Sequence, residues 1–238
     1  MGRIFEKRKH KMFARFAKMA KTFTKLAKDI AISVKLGGSN PDTNSRLRMV
    51  IQNARAVNMP KTNIEGAIKR ATEKDSENYE EVIYEGYAPH GIPLLVECTT
   101  DNPTRTVANL RMHFNRGNGA LGTNGSVSFM FDRKALFKLS SESLNKDEIE
   151  LKLIDFGAED YTWDEEQHEL IIQTPFNEFG TMQKGLEDLK MEIKESSKAF
   201  LPSAQQKLSE SQELEVMALI DRLEEDDDVV AVYHTVQP

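Results

Sequence analysis

From residue 135 to residue 201 the hydrophobic pattern reads strand, helix, strand, strand, helix, strand, and that order leaves a chain few ways to fold. Strands are expected at 135–139, 160–163, 170–173 and within 192–201, with helices at 146–156 and 179–191. This is the split-βαβ arrangement of a ferredoxin-like sandwich, complete in itself. The preceding stretch has strands at 82–87 and 92–98, joined by the turn Pro89-His90-Gly91. A helix from Pro103, capped by Asp101 or Asn102, follows, and a glycine-rich loop leads into a strand at 126–131. That stretch lacks a second helix and a fourth strand. The chain's end supplies both, at 214–223 and 229–236.

The N-terminal part has a different period. Met12, Phe16, Met19, Phe23, Leu26 and Ile30 form one apolar helical stripe, ended by Gly37-Gly38. Asn44 or Ser45 can cap a second helix carrying Leu47, Val50, Ile51, Ala54 and Val57, closed by Asn58. Pro60 suits the first position of a third, and Thr62 and Glu65 have capping-box spacing. The polar, acidic stretch 72–80 reads as a linker. The expected fold class is α+β: an N-terminal three-helix domain, then two α/β (ferredoxin-like) sandwich domains, one inserted in the other. The expected boundaries are 1–75 for a basic helical domain, 81–132 plus 207–238 for an α+β domain, and 133–206 for the inserted domain.

Charge divides along the same lines. Residues 1–70 hold 17 Lys and Arg against four acids, a net +13, whereas the whole chain is −6, so residues 71–238 carry −19. A basic head on an acidic body directs one end toward a polyanion while the rest repels it. Nucleic acid is the expected partner, because Lys and Arg release the counterions condensed on phosphates. Lys11, Lys18 and Lys25 share one heptad position and Lys21, Lys28 and Lys35 another, both away from the apolar stripe.

Enzyme signatures do not assemble. Gly117-Asn118-Gly119-Ala120-Leu121-Gly122 has the dinucleotide spacing, but a helix precedes it and a strand follows, the reverse of what pyrophosphate binding needs. A loop in close backbone approach to a neighbour is the reading that survives. The five histidines show no metal-ligand spacing, so neither metal nor cofactor is expected. The acidic runs 164–166 and 224–228 read as solvated turns. Cys98, the single cysteine, lies in an apolar run and reads as a buried strand thiol in a reducing compartment. No apolar run is long enough to span a bilayer, and no secretory segment opens the chain, so a cytoplasmic location is expected.

Several short segments together point to a family. Lys35-Leu36-Gly37-Gly38, Asn58-Met59-Pro60, Tyr84-Glu85-Gly86-Tyr87, Leu121-Gly122-Thr123-Asn124-Gly125-Ser126-Val127 and the terminal Asp227-Asp228-Val229 resemble the YebC/PmpR family, nearly end to end. The resemblance implies three domains and no catalytic activity. It implies DNA-binding transcriptional regulation for many members, and for others action on ribosomes stalled at proline runs, a mitochondrial translational activator of a cytochrome oxidase subunit among them. Two positions depart from the family: Gly2-Arg3-Ile4-Phe5-Glu6 replaces an opening that carries a Trp, and Asn118 stands where glycine is common.

The expected activity is non-enzymatic regulation of gene expression by nucleic-acid binding, with DNA leading and ribosomal RNA or the ribosome as the alternative. A third reading is an adaptor that docks anionic partners through its basic helix. No membrane partner or small-molecule substrate is implied. Phosphate contacts are expected from Lys7, Arg8, Lys9, Lys11, Arg15, Lys18, Lys21, Lys25 and Lys28, and secondarily from Arg46, Arg48, Lys61, Lys69 and Arg70. Arg105 is a further candidate, with a salt bridge to the acidic body as its structural alternative.

Overall fold

A computed structural model describes residues 3–73, 78–142 and 145–237, with side chains from Met19 onward except that of Asp147. The N-terminal helices are α1 (Arg3–Gly37), α2 (Ser45–Ala56) and α3 (Lys61–Thr72). Gly38 stops α1 in the left-handed region at φ 86°, donating its N–H to the Val34 carbonyl at 2.8 Å. Asn44 then joins α1 to α2. Its amide nitrogen donates to the carbonyls of Ser33 (2.7 Å) and Gly38 (2.8 Å), and its oxygen accepts the Leu47 N–H (3.0 Å) as the α2 cap. The expected capping box at Thr62 and Glu65 does not form: Pro60 is the cap residue itself, and Glu65 lies 3.6 Å from Lys61. Ile30, Val34, Leu47, Val50, Ala54, Ile64 and Ala67 close a small apolar core among the three helices.

The first sheet has the order β3-β1-β2-β8, all neighbours antiparallel, from β1 (Glu80–Ala88), β2 (Ile92–Thr100), β3 (Ala120–Leu121) and β8 (Val229–His234). Helices α4 (Pro103–Arg116) and α7 (Glu210–Glu224) contribute Leu110, Phe114, Val216, Leu219 and Leu223 to its core. Every residue of β2 is buried, because both faces of that strand are covered. Leu94, Val96 and Cys98 join the cluster with α4 and α7, while Leu95 packs with Val127 and Phe131. In this sheet β1 and β2 are adjacent through a hairpin, so its winding differs from that of the second sheet.

The expected strand at 126–131 is not there. The strand that pairs with β1 is Ala120–Leu121, inside the glycine-rich run, and Ser128–Met130 makes a 3₁₀ turn. The reason is local: the N–H groups of Gly125, Val127 and Ser128 are drawn to the Glu85 carboxylate, which removes them from any ladder.

The second sheet has the order β5-β6-β4-β7, from β4 (Phe131–Ser140), β5 (Asp160–Asp164), β6 (Glu169–Pro175) and β7 (Ile193–Pro202). With α5 (Lys146–Asp155) and α6 (Phe179–Asp188), this is the split-βαβ winding expected from the hydrophobic pattern, closed over Phe137, Leu139, Leu153, Leu170, Ile172 and Leu186. β7 is an edge strand, and α2 covers it with one side chain. Asn53 donates to the Ser196 carbonyl at 2.7 Å and accepts the Ser196 N–H at 3.2 Å, imitating a ladder residue. Asn53→Ala is expected to lower unfolding free energy by about 1–2 kcal/mol in urea titration. A change near zero would show that water replaces the amide without cost. From the three largest apolar clusters we propose that 1–75, 81–132 with 207–238, and 133–206 are the folding units, with the smaller cluster around Leu95, Val127 and Phe131 packing Phe200 against the second of them.

Candidate nucleic-acid interface

The basic face of α1 is partly turned inward. Lys21, Lys25 and Lys28, spaced four and three apart, lie on one side of the helix and meet the segment where α7 ends and β8 begins. Lys21 donates to the Glu225 carbonyl and Lys25 to the Val230 carbonyl at 3.3 Å. Glu225 is the residue that closes α7, so Lys21 sits at the negative end of that helix dipole.

Lys28 goes deepest. Only 9% exposed, it donates to Asp228 Oδ1 at 2.8 Å and to the carbonyls of Asp227 (2.9 Å) and Thr99 (3.1 Å). Asp228 is itself 5% exposed and collects donors from three directions. Its second oxygen accepts from Thr106 Oγ1 (2.8 Å), Arg105 Nη2 (3.0 Å) and Thr100 Oγ1 (3.3 Å). Burial alone would raise its pKa. The hydrogen bonds from Lys28, Arg105 and Thr106 outweigh burial and bring it from 3.8 to about 2.

A second ionic junction links elements from the three largest apolar clusters. Lys198 of β7 reaches Glu81 of β1 at 2.8 Å and Glu97 of β2 at 2.5 Å. Glu81 also holds Arg46 of α2 at 2.7 Å, Arg46 lies 3.4 Å from Asp29 of α1, and Tyr233 donates to Glu97 at 3.1 Å. Burial opposes the charge on Lys198, but its carboxylate neighbours more than offset this and keep its pKa above the ordinary lysine value.

The glycine-rich run packs against its own domain. A Cβ at Gly119 would lie 2.6 Å from the Tyr87 carbonyl and one at Gly117 would meet Leu219 at 2.7 Å. Asn118 adopts φ 55°, a left-handed conformation that asparagine tolerates better than most residues, so the departure from glycine is accommodated. The loop beyond is pinned from beneath by Glu85 and leaves Thr123, Asn124 and a 71% exposed Phe129 on the surface.

Comparison with known proteins bears on this arrangement. Residues 3–74 match the description "TACO1/YebC protein N-terminal domain" and residues 79–236 match "TACO1/YebC second and third domain". The chain belongs to the TACO1/YebC family. A "Probable transcriptional regulatory protein" of Flavobacterium johnsoniae is 52% identical over 237 residues, covering 100% of this chain and 99% of the relative. One from Anaeromyxobacter dehalogenans is 50% identical, covering 98% and 99%. The crystal structure of the conserved hypothetical protein Aq1575 of Aquifex aeolicus superimposes with a TM-score of 0.79 at 38% identity, covering 93% of this chain and 91% of that one. That superposition supports the mixed α+β architecture of N-terminal helices followed by two four-stranded antiparallel sheets.

Within this family member the anticipated basic residues fall into distinct settings. Lys7, Arg8, Lys9, Lys11, Arg15 and Lys18 lie on the first half of α1, where side chains are outside the described part of the structure. Lys21, Lys25 and Lys28 face the body. Arg46 is held by Glu81 and Asp29, and Arg48 lies 3.4 Å from Glu187. Arg105 bridges Asp101 (2.7 Å) and Asp228, which is its expected structural alternative. Lys61, Lys69 and Arg70 stand exposed on α3.

The acidic run 224–228 differs from the solvated turn expected of it. Asp226 and Asp228 are inward, with Asp226 receiving Asn109 (3.3 Å) and lying 3.5 Å from His113. The signal in the sequence is an acid immediately before the apolar pair Val229-Val230, at a strand start where a side chain must point to one face or the other. Among the described residues no cluster of three His, Cys, Asp or Glu is arranged to hold a metal ion, and no helix is long and apolar enough to cross a membrane.

Proposed function

We propose that this protein is a non-enzymatic regulator of gene expression that acts by binding DNA through phosphate contacts. The observation that carries the reading is the charge partition together with its placement. A head of net +13 is carried on a body of −19, and the body engages the inner lysines of α1 together with Arg46 and Arg48 of α2. Lys61, Lys69 and Arg70 on α3 keep their charge toward solvent and form the phosphate-binding face, with the first half of α1 extending it. Names of the Flavobacterium and Anaeromyxobacter relatives support a transcriptional role. The acidic body then limits non-specific spreading along the polyanion by repelling it.

The test is a salt titration of duplex DNA affinity for the native chain and for Lys61→Glu/Lys69→Glu/Arg70→Glu. The slope of log K against log salt is expected to fall in magnitude by roughly 0.9 for each phosphate that the variant no longer neutralises. An unchanged slope removes α3 from the interface. Crosslinking in cells, with sequencing of bound DNA and bound RNA, assigns the target. Enrichment at promoters that is lost in the triple variant supports the reading; enrichment on ribosomal RNA alone overturns it in favour of translation.

A further inference from the structure

Side chains of α1 and α3 line an open groove of about 690 Å³. Its floor is made of small and apolar side chains: Phe23, Ala27 and Ala31 from α1, Ala67 and Ala71 from α3, and Met59 before α3. Gly66 provides the room. A Cβ there would meet nothing closer than Arg70 Nη1 at 3.9 Å, so no packing constraint demands a glycine. Glycine in a helix interior weakens the helix relative to alanine, so what it contributes at this position is space.

The groove's rim carries chemistry that its floor lacks. Among the described residues the side chains of Asn63 and Arg70 make no hydrogen bond or ion pair, although both line it. The Tyr79 ring stands at one end, with the Lys28 ammonium 5.6 Å from its centroid. An apolar floor with aromatic edges, an unpaired amide and a guanidinium match the parts of a nucleotide: a flat base, its hydrogen-bonding edge and its phosphate. The volume lies in the range of pockets for small organic groups, roughly 300–1,000 Å³. A duplex offers the groove only phosphates and groove edges, whereas an unpaired base can enter it. The positive charge of the head supplies the complementarity that brings such a strand to this place.

We propose that the groove between α1 and α3 receives an unpaired base of a bound nucleic acid, with Asn63 on the base edge and Arg70 on the adjoining phosphate. This rests on the proposed nucleic-acid function and adds a preference for single-stranded or unstacked sites. The test compares the full chain with Gly66→Leu and Gly66→Ala, by fluorescence anisotropy with a mixed-sequence single-stranded oligonucleotide and with its duplex. Gly66→Leu narrows the groove beside Arg70 and is expected to weaken single-strand binding by about ten-fold while leaving duplex binding within two-fold. Gly66→Ala leaves the groove open and should bind both as the native chain does, with thermal melting confirming that both variants fold. Equal single-strand affinity for Gly66→Leu and the native chain, or equal losses on both nucleic acids, overturns the groove assignment alone. A native chain that binds neither nucleic acid overturns this assignment and the functional reading together.

Discussion

Asp228→Ala is expected to lower the free energy of unfolding by about 3–5 kcal/mol, the largest single-residue effect outside the apolar cores. The carboxylate is the common acceptor for Lys28, Arg105, Thr106 and Thr100, which come from α1, from the first turn of α4 and from the end of β2. Removing it leaves the buried Lys28 ammonium with only the carbonyls of Thr99 and Asp227, and an uncompensated buried charge is far costlier than a missing pair. Arg105, half exposed, falls back on Asp101 and water, so its share of the loss is small. Urea titration followed by circular dichroism measures the effect. A loss below about 1 kcal/mol would show that water enters and solvates Lys28. The double variant Lys28→Met/Asp228→Asn should recover part of the loss, since it removes the stranded charge along with its partner.

The same carboxylate gives the protein an acid limit. Its folded pKa, about 2, lies below the ordinary 3.8, so the folded state binds the proton less readily than the unfolded chain. The stabilisation is complete above pH 3.8 and is lost as pH falls from there toward 2, by roughly 2 kcal/mol. In Asp228→Ala that part of the acid dependence should be missing. An identical loss of stability in both proteins across this acid range would place the sensitivity elsewhere.

Much of this architecture is legible in the sequence, and the reason differs from place to place. The apolar stripe through Phe23, Leu26 and Ile30 names the face of α1 that meets α2 and α3, because a helix repeats its contacts every three or four residues. The order of elements from β4 to β7 restricts the second sheet to one common winding, and the pairing observed is that winding. Lys21, Lys25 and Lys28 mark the limit of such reasoning. Periodicity shows that they share a basic face but carries no information about what lies opposite, and their partners are some 200 positions away. Glu97 is hidden for a similar reason. An acid in the apolar run Ile92–Thr100 looks like an interruption until Lys198 and Tyr233 are seen to reach it from other strands. The loop after Gly122 has the pattern of a strand without being one, because Val127 and Phe131 suggest alternation while the competing acceptor, Glu85, lies 40 residues earlier.

Glu85→Ala is the second large effect, and its signature is local. The carboxylate, 3% exposed, accepts N–H groups from Gly125 (2.7 Å), Val127 (2.6 Å) and Ser128 (2.9 Å). Burial raises its pKa, but these backbone donors outweigh burial and hold it below the ordinary glutamate value, so its support weakens as pH falls through and below 4.5. Without it, Val127 must leave its N–H unpaired in a buried position, while Gly125 and Ser128 can turn to water. The expected cost is about 2–4 kcal/mol, with Glu85→Gln losing roughly half as much because its amide keeps one acceptor oxygen. Native-state hydrogen exchange separates this loop from the rest. In Glu85→Ala the Val127 amide should exchange at least about 100-fold faster, whereas the β2 amides should keep a protection that tracks global stability. Val127 protection equal to that of the native chain would mean that Val127, Phe131 and Tyr87 hold the loop by packing alone. If the expected result is found, the surface bearing Thr123, Asn124 and Phe129 owes its shape to one buried acid, and its part in binding can be tested through Glu85 without touching an exposed side chain.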